Sequence, residues 1–181
     1  MAKDKEFTTA EIRNATGRLG NKKTPGEDGI TGEIYKSAFE IFPRYITAMC
    51  NGYLNRGVFP RWKRTKLIPI TKPGKDNCED VTNFRPISLI NTGGKVLEKL
   101  LINRINHHVF SHNYTNNNQY GFTPQNSTTD AAMAVKNVVI EGLTADVIVL
   151  VSLDVKGAFD AAWWPAILNG LRAYECPNNL T

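Results

Sequence analysis

The stretch that decides the fold is Thr144–Pro165, which reads TADVIVLVSLDVKGAFDAAWWP. It opens with an apolar, largely β-branched run, Val147–Val151, which predicts a buried strand rather than a helix. The run leads to Asp154, so a carboxylate is expected just past the end of a hydrophobic strand. Its oxygens suit a hard divalent cation such as Mg²⁺, and the alternative is an aspartate that only caps the turn after the strand.

The motif around Asp154 carries a family resemblance. Residues 154–160, DVKGAFD, resemble the first catalytic carboxylate motif of reverse transcriptases, in particular those of non-LTR (LINE-type) retrotransposons. The resemblance implies that Asp154 is catalytic and binds two Mg²⁺ ions, or Mn²⁺ in their place, with help from the backbone carbonyl of Val155. It also implies that Phe159 is an aromatic gate that excludes a 2′-hydroxyl from the incoming sugar, whereas a core phenylalanine is the alternative. Asp160 is expected to be structural.

The composition is that of a folded, mildly basic domain. The 181 residues are 41% hydrophobic and 22% charged, and the net charge of +5 is compatible with a polyanionic partner. The three cysteines are odd in number and far apart, which favours neither a zinc ribbon nor a disulfide framework and predicts a reduced, intracellular setting. Within the cell, we expect the protein in cytoplasm and nucleus. The charged first residues do not suit a signal peptide, and no apolar run is long enough for a membrane span.

The amino-terminal third combines short helices with a turn-rich basic loop. Thr8 and Glu11 form a capping box for a helix over residues 9–19, and further helices are expected after Thr31 and Pro43. Residues 21–30, NKKTPGEDGI, resemble the block that opens LINE-type polymerase domains and lies along the RNA template. The resemblance implies that Lys22 and Lys23 contact the template, although a plain surface loop with two lysines is the alternative.

Two further cations are predicted to bind the template. Lys63 and Arg64 follow Trp62, and cations interleaved with an aromatic ring suit a nucleic-acid strand. Trp62 itself is better explained as a core anchor.

A basic hairpin is predicted next along the chain. Residues 67–70 and 84–90 are two short strands with edge prolines, joined by a turn that contains Lys72 and Lys75. The pair resembles the fingers motifs of reverse transcriptases, which here read LIPITKPGK and NFRPISL. The resemblance implies that Arg85 binds the phosphates of the incoming nucleotide, helped by Lys72 or Lys75. An ion pair with a nearby acid, Asp76, Glu79 or Asp80, is the alternative for Arg85.

The following segments complete the pattern. Gly93 and Gly94 are expected to let the chain turn before an amphipathic helix over residues 95–110, and the three histidines of this region lack zinc spacing. Residues 119–128, QYGFTPQNST, resemble a block that shapes the floor of the nucleotide pocket, which implicates Gln119 and Gly121. Thr123 stands where that family commonly has arginine. Trp163 and Trp164 are expected to be packing residues at the start of a last helix.

Taken together, the motifs predict an α+β fragment of a right-hand polymerase, helix-rich with short antiparallel strands. Residues 1–92 would form an N-terminal extension and fingers, and residues 93–181 the start of the palm, truncated after the first catalytic aspartate motif. The implied function is that of an RNA-directed DNA polymerase. The implied partners are an RNA template, a DNA primer, a dNTP, the remaining palm and thumb, and an endonuclease domain.

The isolated chain is predicted to be inactive. Two catalytic metals need two or three converging carboxylates, and residues 1–181 contain no Tyr/Phe-x-Asp-Asp tetrad. The rival hypothesis is a non-catalytic nucleic-acid-binding remnant, whose RNA binding would depend on salt but neither on Asp154 nor on Mg²⁺. An RNA-directed RNA polymerase is disfavoured by Phe159.

Overall fold

The computed structural model describes residues 3–59, 62, 64–74, 80–143, 147–155, 157–158 and 161–181. The elements within these ranges are, in chain order, α1 (Thr9–Gly17), α2 (Gly32–Ile41), α3 (Pro43–Arg56), β1 (Thr65–Thr71), a 3-10 turn (Val81–Asn83), β2 (Phe84–Ile90), α4 (Thr92–Ser111), α5 (Thr128–Gly142) and α6 (Trp164–Ala173). The predicted helix-rich α+β composition with short antiparallel strands is therefore confirmed.

The chain divides into two compact units. The first contains residues 1–107 and 175–181, and the second contains residues 108–174. This division falls within α4, whereas the predicted boundary between fingers and palm, at residues 92 and 93, coincides with the start of that helix. The functional division stays a prediction.

Local sequence signals set the ends of the first three helices. Thr8 accepts the Glu11 N–H and Glu11 accepts the Thr8 backbone N–H in return, so α1 begins with a complete capping box. The Thr31 side chain accepts an N–H at the start of α2, and Pro43 occupies the first turn of α3, where its missing N–H costs nothing. Gly57, with φ 62°, ends α3 in the left-handed region that glycine tolerates.

The core of the first unit gathers apolar side chains from α1 to α4 and from the carboxy-terminal residues. Its buried members include Ile12, Phe39, Cys50, Leu54, Val96, Leu97, Leu100, Cys176 and Leu180. On α2, Tyr35 and Phe39 define the buried stripe, being one turn apart. Ile34 lies about 100° round the helix from Tyr35, outside this stripe, and is 55% exposed.

Gly93 and Gly94 lie in the first turn of α4. They do not form a separate turn before that helix. α4 begins at Thr92, and the Trp62 ring lies so close that a Cβ at Gly93 would be 3.0 Å from it. Trp62 also makes an edge-on contact with Tyr53, with ring centroids 5.5 Å apart. The glycines therefore allow the close approach of Trp62, which is partly buried. The core-anchor interpretation of Trp62 stays a prediction.

None of the described residues in the second unit is buried. The predicted strand over residues 147–151 is wrong for this structure, because the run is irregular and Val147 is 90% exposed. A strand needs a partner for its backbone N–H and C=O groups, and none of the described residues pairs with this run. Trp163 and Trp164, expected to pack, are each 70% exposed. Among the described helices, none is both long and apolar enough to cross a bilayer.

Candidate nucleotide and nucleic-acid interface

The β1–β2 hairpin is the part of the candidate site that the structure defines most fully. The strands pair antiparallel from Thr65 opposite Ile90 to Thr71 opposite Phe84. Pro69 lies directly opposite Pro86. Because neither proline has an N–H, this register requires that the two residues occupy a position without cross-strand hydrogen bonds. The edge prolines that the sequence indicated thus set the register of the hairpin.

Two of the predicted phosphate-binding cations lie at the turn end of this hairpin. The Lys72 N–H donates to the Asn83 carbonyl (2.8 Å), and its ammonium donates to the Thr82 carbonyl (2.7 Å). Arg85 lies opposite Ile70, so strand alternation predicts the side chains of Lys72 and Arg85 on one face. Lys75, the other candidate lysine, lies outside the described residues.

Asp80 is the described acid nearest in sequence to Arg85. Its carboxylate accepts the Thr82 N–H (2.8 Å). The hydrogen bonds from Thr82 and the positive charge of Lys72 lower the pKa of Asp80. Arg85 is exposed and forms no ion pair with Asp80 or with any other described acid. Asp76 and Glu79, the two remaining acids that the sequence offers to Arg85, lie outside the described residues.

The loop with Lys22 and Lys23 is anchored at its distal end by Asn91. Gly26 packs so closely against Asn91 that an added Cβ would be 2.6 Å from the Asn91 Cα. The Asn91 Oδ1 accepts the Asp28 N–H (3.4 Å), and Thr92 donates its hydroxyl to the Ile30 carbonyl (2.5 Å). The loop is thereby fixed to the junction of β2 and α4. Sequence reasoning missed Asn91, because its role depends on a contact between distant segments.

The proximal end of the same loop is anchored by α2. Glu33 accepts the backbone N–H of Lys22 (2.5 Å), and the Lys36 ammonium donates to the Asn21 side chain (2.8 Å). The hydrogen bond from Lys22 lowers the pKa of Glu33. Both loop lysines are exposed, so their side chains project from a backbone that is held at two ends.

Of the remaining residues predicted to bind the template, Arg64 is exposed just before β1. Lys63 lies outside the described residues.

The predicted floor of the nucleotide pocket, in the second unit, is a compact turn. The Gln119 side chain donates to the Gly121 carbonyl (2.9 Å), and Asn126 donates to the Gln119 carbonyl (3.1 Å). Phe122 has a φ of 60° and is 94% exposed. The side-chain amide of Gln119 therefore stabilises this loop through its hydrogen bond to the Gly121 carbonyl.

The predicted metal ligands Asp154 and Val155 are both exposed. Within the described ranges, no group of three or more His, Cys, Asp or Glu side chains is placed to hold a metal ion. Asp154 therefore offers a single carboxylate, and two metal ions need more oxygen ligands than one carboxylate and one carbonyl provide. Phe159, the predicted sugar gate, and Asp160 lie outside the described residues.

Comparison with known proteins identifies the class of protein. Residues 70–181, which include most of the hairpin and Asp154, match the family described as reverse transcriptase (RNA-dependent DNA polymerase). The chain therefore belongs to the reverse transcriptase family, as its motifs predicted.

Its relatives include proteins of non-LTR retrotransposons. The chain is 34% identical, over 92% of its length, to the putative 115 kDa protein in type-1 retrotransposable element R1DM of Drosophila melanogaster. It is 31% and 32% identical, over 89% and 94% of its length, to the RNA-directed DNA polymerases from mobile element jockey of Drosophila melanogaster and Drosophila funebris. These alignments cover 16%, 18% and 19% of the three relatives. The chain thus spans less than a fifth of the length of each.

Proposed function

We propose that this chain is the fingers and the start of the palm of a right-hand RNA-directed DNA polymerase, in which the β1–β2 hairpin binds the nucleotide and Asp154 binds the metal. The observation that carries the proposal is the family match over residues 70–181, which includes the end of β1, all of β2 and Asp154. The substrates would be an RNA template, a DNA primer and a dNTP. The remaining palm and thumb would complete the site, and an endonuclease domain would be a further partner in the longer protein.

In this proposal the hairpin binds the triphosphate of the incoming nucleotide. Arg85 is exposed and has no described ion-pair partner, so its guanidinium is available for bidentate bonds to phosphate oxygens. Lys72 is held by two hydrogen bonds at the base of the turn, which suits a fixed point charge. The two cations would neutralise charge on the leaving pyrophosphate.

Asp154 and the Val155 carbonyl would hold Mg²⁺, or Mn²⁺, together with carboxylates from outside this chain. The metal ions would supply charge stabilisation for attack by a primer 3′-hydroxyl on the α-phosphate. Asp154 is exposed, so its carboxylate is accessible to a metal ion. Because residues 1–181 contain no Tyr/Phe-x-Asp-Asp tetrad, we expect that they do not polymerise by themselves.

The decisive experiment compares variants of the polymerase domain that contains this chain. Asp154→Asn should abolish primer extension on an RNA template while RNA affinity stays within about twofold. Glu98→Gln, which removes an exposed negative charge from α4, is the matched control and should extend primers normally. Full extension activity in the Asp154→Asn enzyme would refute the proposed metal ligand. The rival hypothesis of a non-catalytic RNA-binding remnant predicts that no variant extends a primer and that RNA binding needs no Mg²⁺.

A further inference from the structure

A small cavity in the first unit brings together two lysines from distant parts of the sequence. The cavity has a volume of about 80 Å³, and Lys23 from the amino-terminal loop and Lys95 from the first turn of α4 both line it. Thr24, Gly32 and Thr92 also border this space. The sequence motifs place Lys95 only at the start of the amphipathic helix over residues 95–110 and assign it no ligand.

Both lysines lack a counter-ion among the described residues. Within the described residues, neither ammonium forms a salt bridge or a hydrogen bond, whereas Arg13 and Arg104 are paired with carboxylates and Lys36 with Asn21. Two acids of the adjoining segment already accept hydrogen bonds from backbone groups. Asp28 accepts the Ile30 N–H, and Glu33 accepts the Lys22 N–H. Two cationic side chains that line one cavity, with no carboxylate paired to either, favour an anion as ligand.

Gly20 and Gly32 line the cavity, and their lack of a side chain leaves its space free. A Cβ at Gly32 would lie 3.0 Å from the Gly20 carbonyl oxygen, and a Cβ at Gly20 would lie 2.8 Å from the Lys23 Cγ. The stem of Lys23 therefore packs across Gly20, and a side chain at Gly32 would reduce the space. The first turns of α2 and α4 border the cavity at Gly32 and Thr92, so the positive ends of two helix dipoles add to the lysine charges.

We propose that this cavity, named here the Lys23–Lys95 cavity, binds one phosphate group between the two ammonium groups. The anchored loop backbone holds Lys23 in place before the ligand arrives, which lowers the entropic cost of binding. Because Lys22, the neighbour of Lys23 in the sequence, is exposed on the same loop, the phosphate would be a phosphodiester of a single-stranded RNA. The assignment of this phosphate to RNA rests on the proposed function. The proposal that the cavity binds a phosphate group is independent of it.

The first arm of the test uses inorganic phosphate and the 181-residue chain. Amide NMR signals of Gly32 and Thr92 are followed during the titration in the wild type, in Lys23→Gln/Lys95→Gln and in the charge-matched control Lys99→Gln/Lys136→Gln. Saturable shifts are expected in the wild type and the control, with roughly tenfold weaker binding or more in the cavity variant. Gly32→Ala, which leaves the charge unchanged, should also weaken binding. Absence of saturable shifts in the wild type, or equal binding by both double variants, would overturn the proposal.

The second arm uses a fluorescently labelled single-stranded oligoribonucleotide over a range of salt concentrations. If the cavity binds an RNA phosphate, the slope of log affinity against log salt should become shallower by about 0.7 in the cavity variant, and by less in the control. Phosphate binding with unchanged RNA binding in the cavity variant would support the site and assign it to a free anion. A wild-type chain that binds phosphate but no RNA would count against the proposed function and leave the cavity site standing.

Discussion

Asn51 and Phe7 exchange two hydrogen bonds, as paired residues of a β-sheet do. The Phe7 N–H donates to the Asn51 Oδ1 (2.7 Å), and the Asn51 amide donates to the Phe7 carbonyl (3.0 Å). Asn179 pairs with the backbone of Asp4 in the same reciprocal way (2.7 and 3.1 Å). Two asparagine side chains therefore replace a neighbouring strand for the extended segment before α1.

Asn51→Ala should lower the free energy of unfolding by about 2 kcal/mol, because it leaves a buried N–H and a buried carbonyl of Phe7 without partners. Asn55→Ala is the control. Asn55 is exposed and bonds the Glu6 side chain (2.9 Å), so its loss should cost less than about 0.5 kcal/mol. Urea unfolding of the two variants measures the difference, and equal midpoints would show that the pairing with Phe7 contributes nothing.

Acid should destabilise the first unit through the pair formed by Arg104 and Glu11. Two guanidinium nitrogens of Arg104 donate to the Glu11 carboxylate (2.7 and 2.9 Å), and these bonds lower the pKa of Glu11 to about 2 from 4.5. A carboxyl with a lowered folded-state pKa stabilises the fold fully above its unfolded pKa and loses this contribution as the pH falls.

Glu11→Gln should therefore be less stable than the wild type at pH 7, and the gap should close between about pH 4.5 and pH 2. Thermal unfolding midpoints measured across this range provide the test. Glu40→Gln is the control, since the exposed pair of Glu40 with Arg13 is strongly screened by solvent. A gap between wild type and Glu11→Gln that does not change with pH would contradict the assignment.

Gly26→Ala should loosen the loop that contains Lys22 and Lys23. The new methyl group would meet the backbone of Asn91 at 2.6 Å, so the loop must move away, at a cost of about 1–3 kcal/mol. Gly17→Ala is the matched control, because no described residue lies within 4 Å of a Cβ there and alanine favours the helix. Amide hydrogen exchange of Asp28 and Ile30 should rise in the first variant and stay unchanged in the second.

Cys50 should resist alkylation until the chain unfolds. The side chain is fully buried, and burial raises the pKa of the thiol to about 11 from 9.0. The reactive thiolate is therefore scarce as well as inaccessible near neutral pH. Mass spectrometry after brief iodoacetamide treatment should find Cys50 modified only in denaturant. Rapid labelling of Cys50 in the native chain would show that this part of the core opens readily.

Arg85→Ala should weaken dNTP binding in the polymerase domain that contains this chain, if the proposed function holds. Loss of a charge-assisted bond pair should raise the KM for dNTP by roughly tenfold or more, and Arg85→Lys should restore part of the affinity. Lys66→Ala removes an exposed cation from the opposite strand and is the control. Steady-state primer extension measures KM and kcat separately. Equal KM values for all variants would exclude the proposed binding of the dNTP phosphates by Arg85.

The sequence predicted best those features that depend on neighbours along the chain. The capping box at Thr8, the proline at the start of α3 and the hairpin strands were all confirmed, because their determinants lie within a few residues. The family membership followed from the order of short motifs. The prediction that Gly93 and Gly94 form a turn was wrong, since their place in α4 depends on the distant Trp62, which comes to lie against them.

By itself, the sequence determined the family, the local helix and strand signals and the residue types available for phosphate and metal binding. Only the tertiary structure decided that Gly26 lies against Asn91, that Asn51 pairs with Phe7, and that Lys23 and Lys95 border one cavity. It also left the apolar run before Asp154 exposed. The physical reason is that apolar and hydrogen-bonding potential is a property of each residue, whereas burial and pairing require a second segment at the right distance.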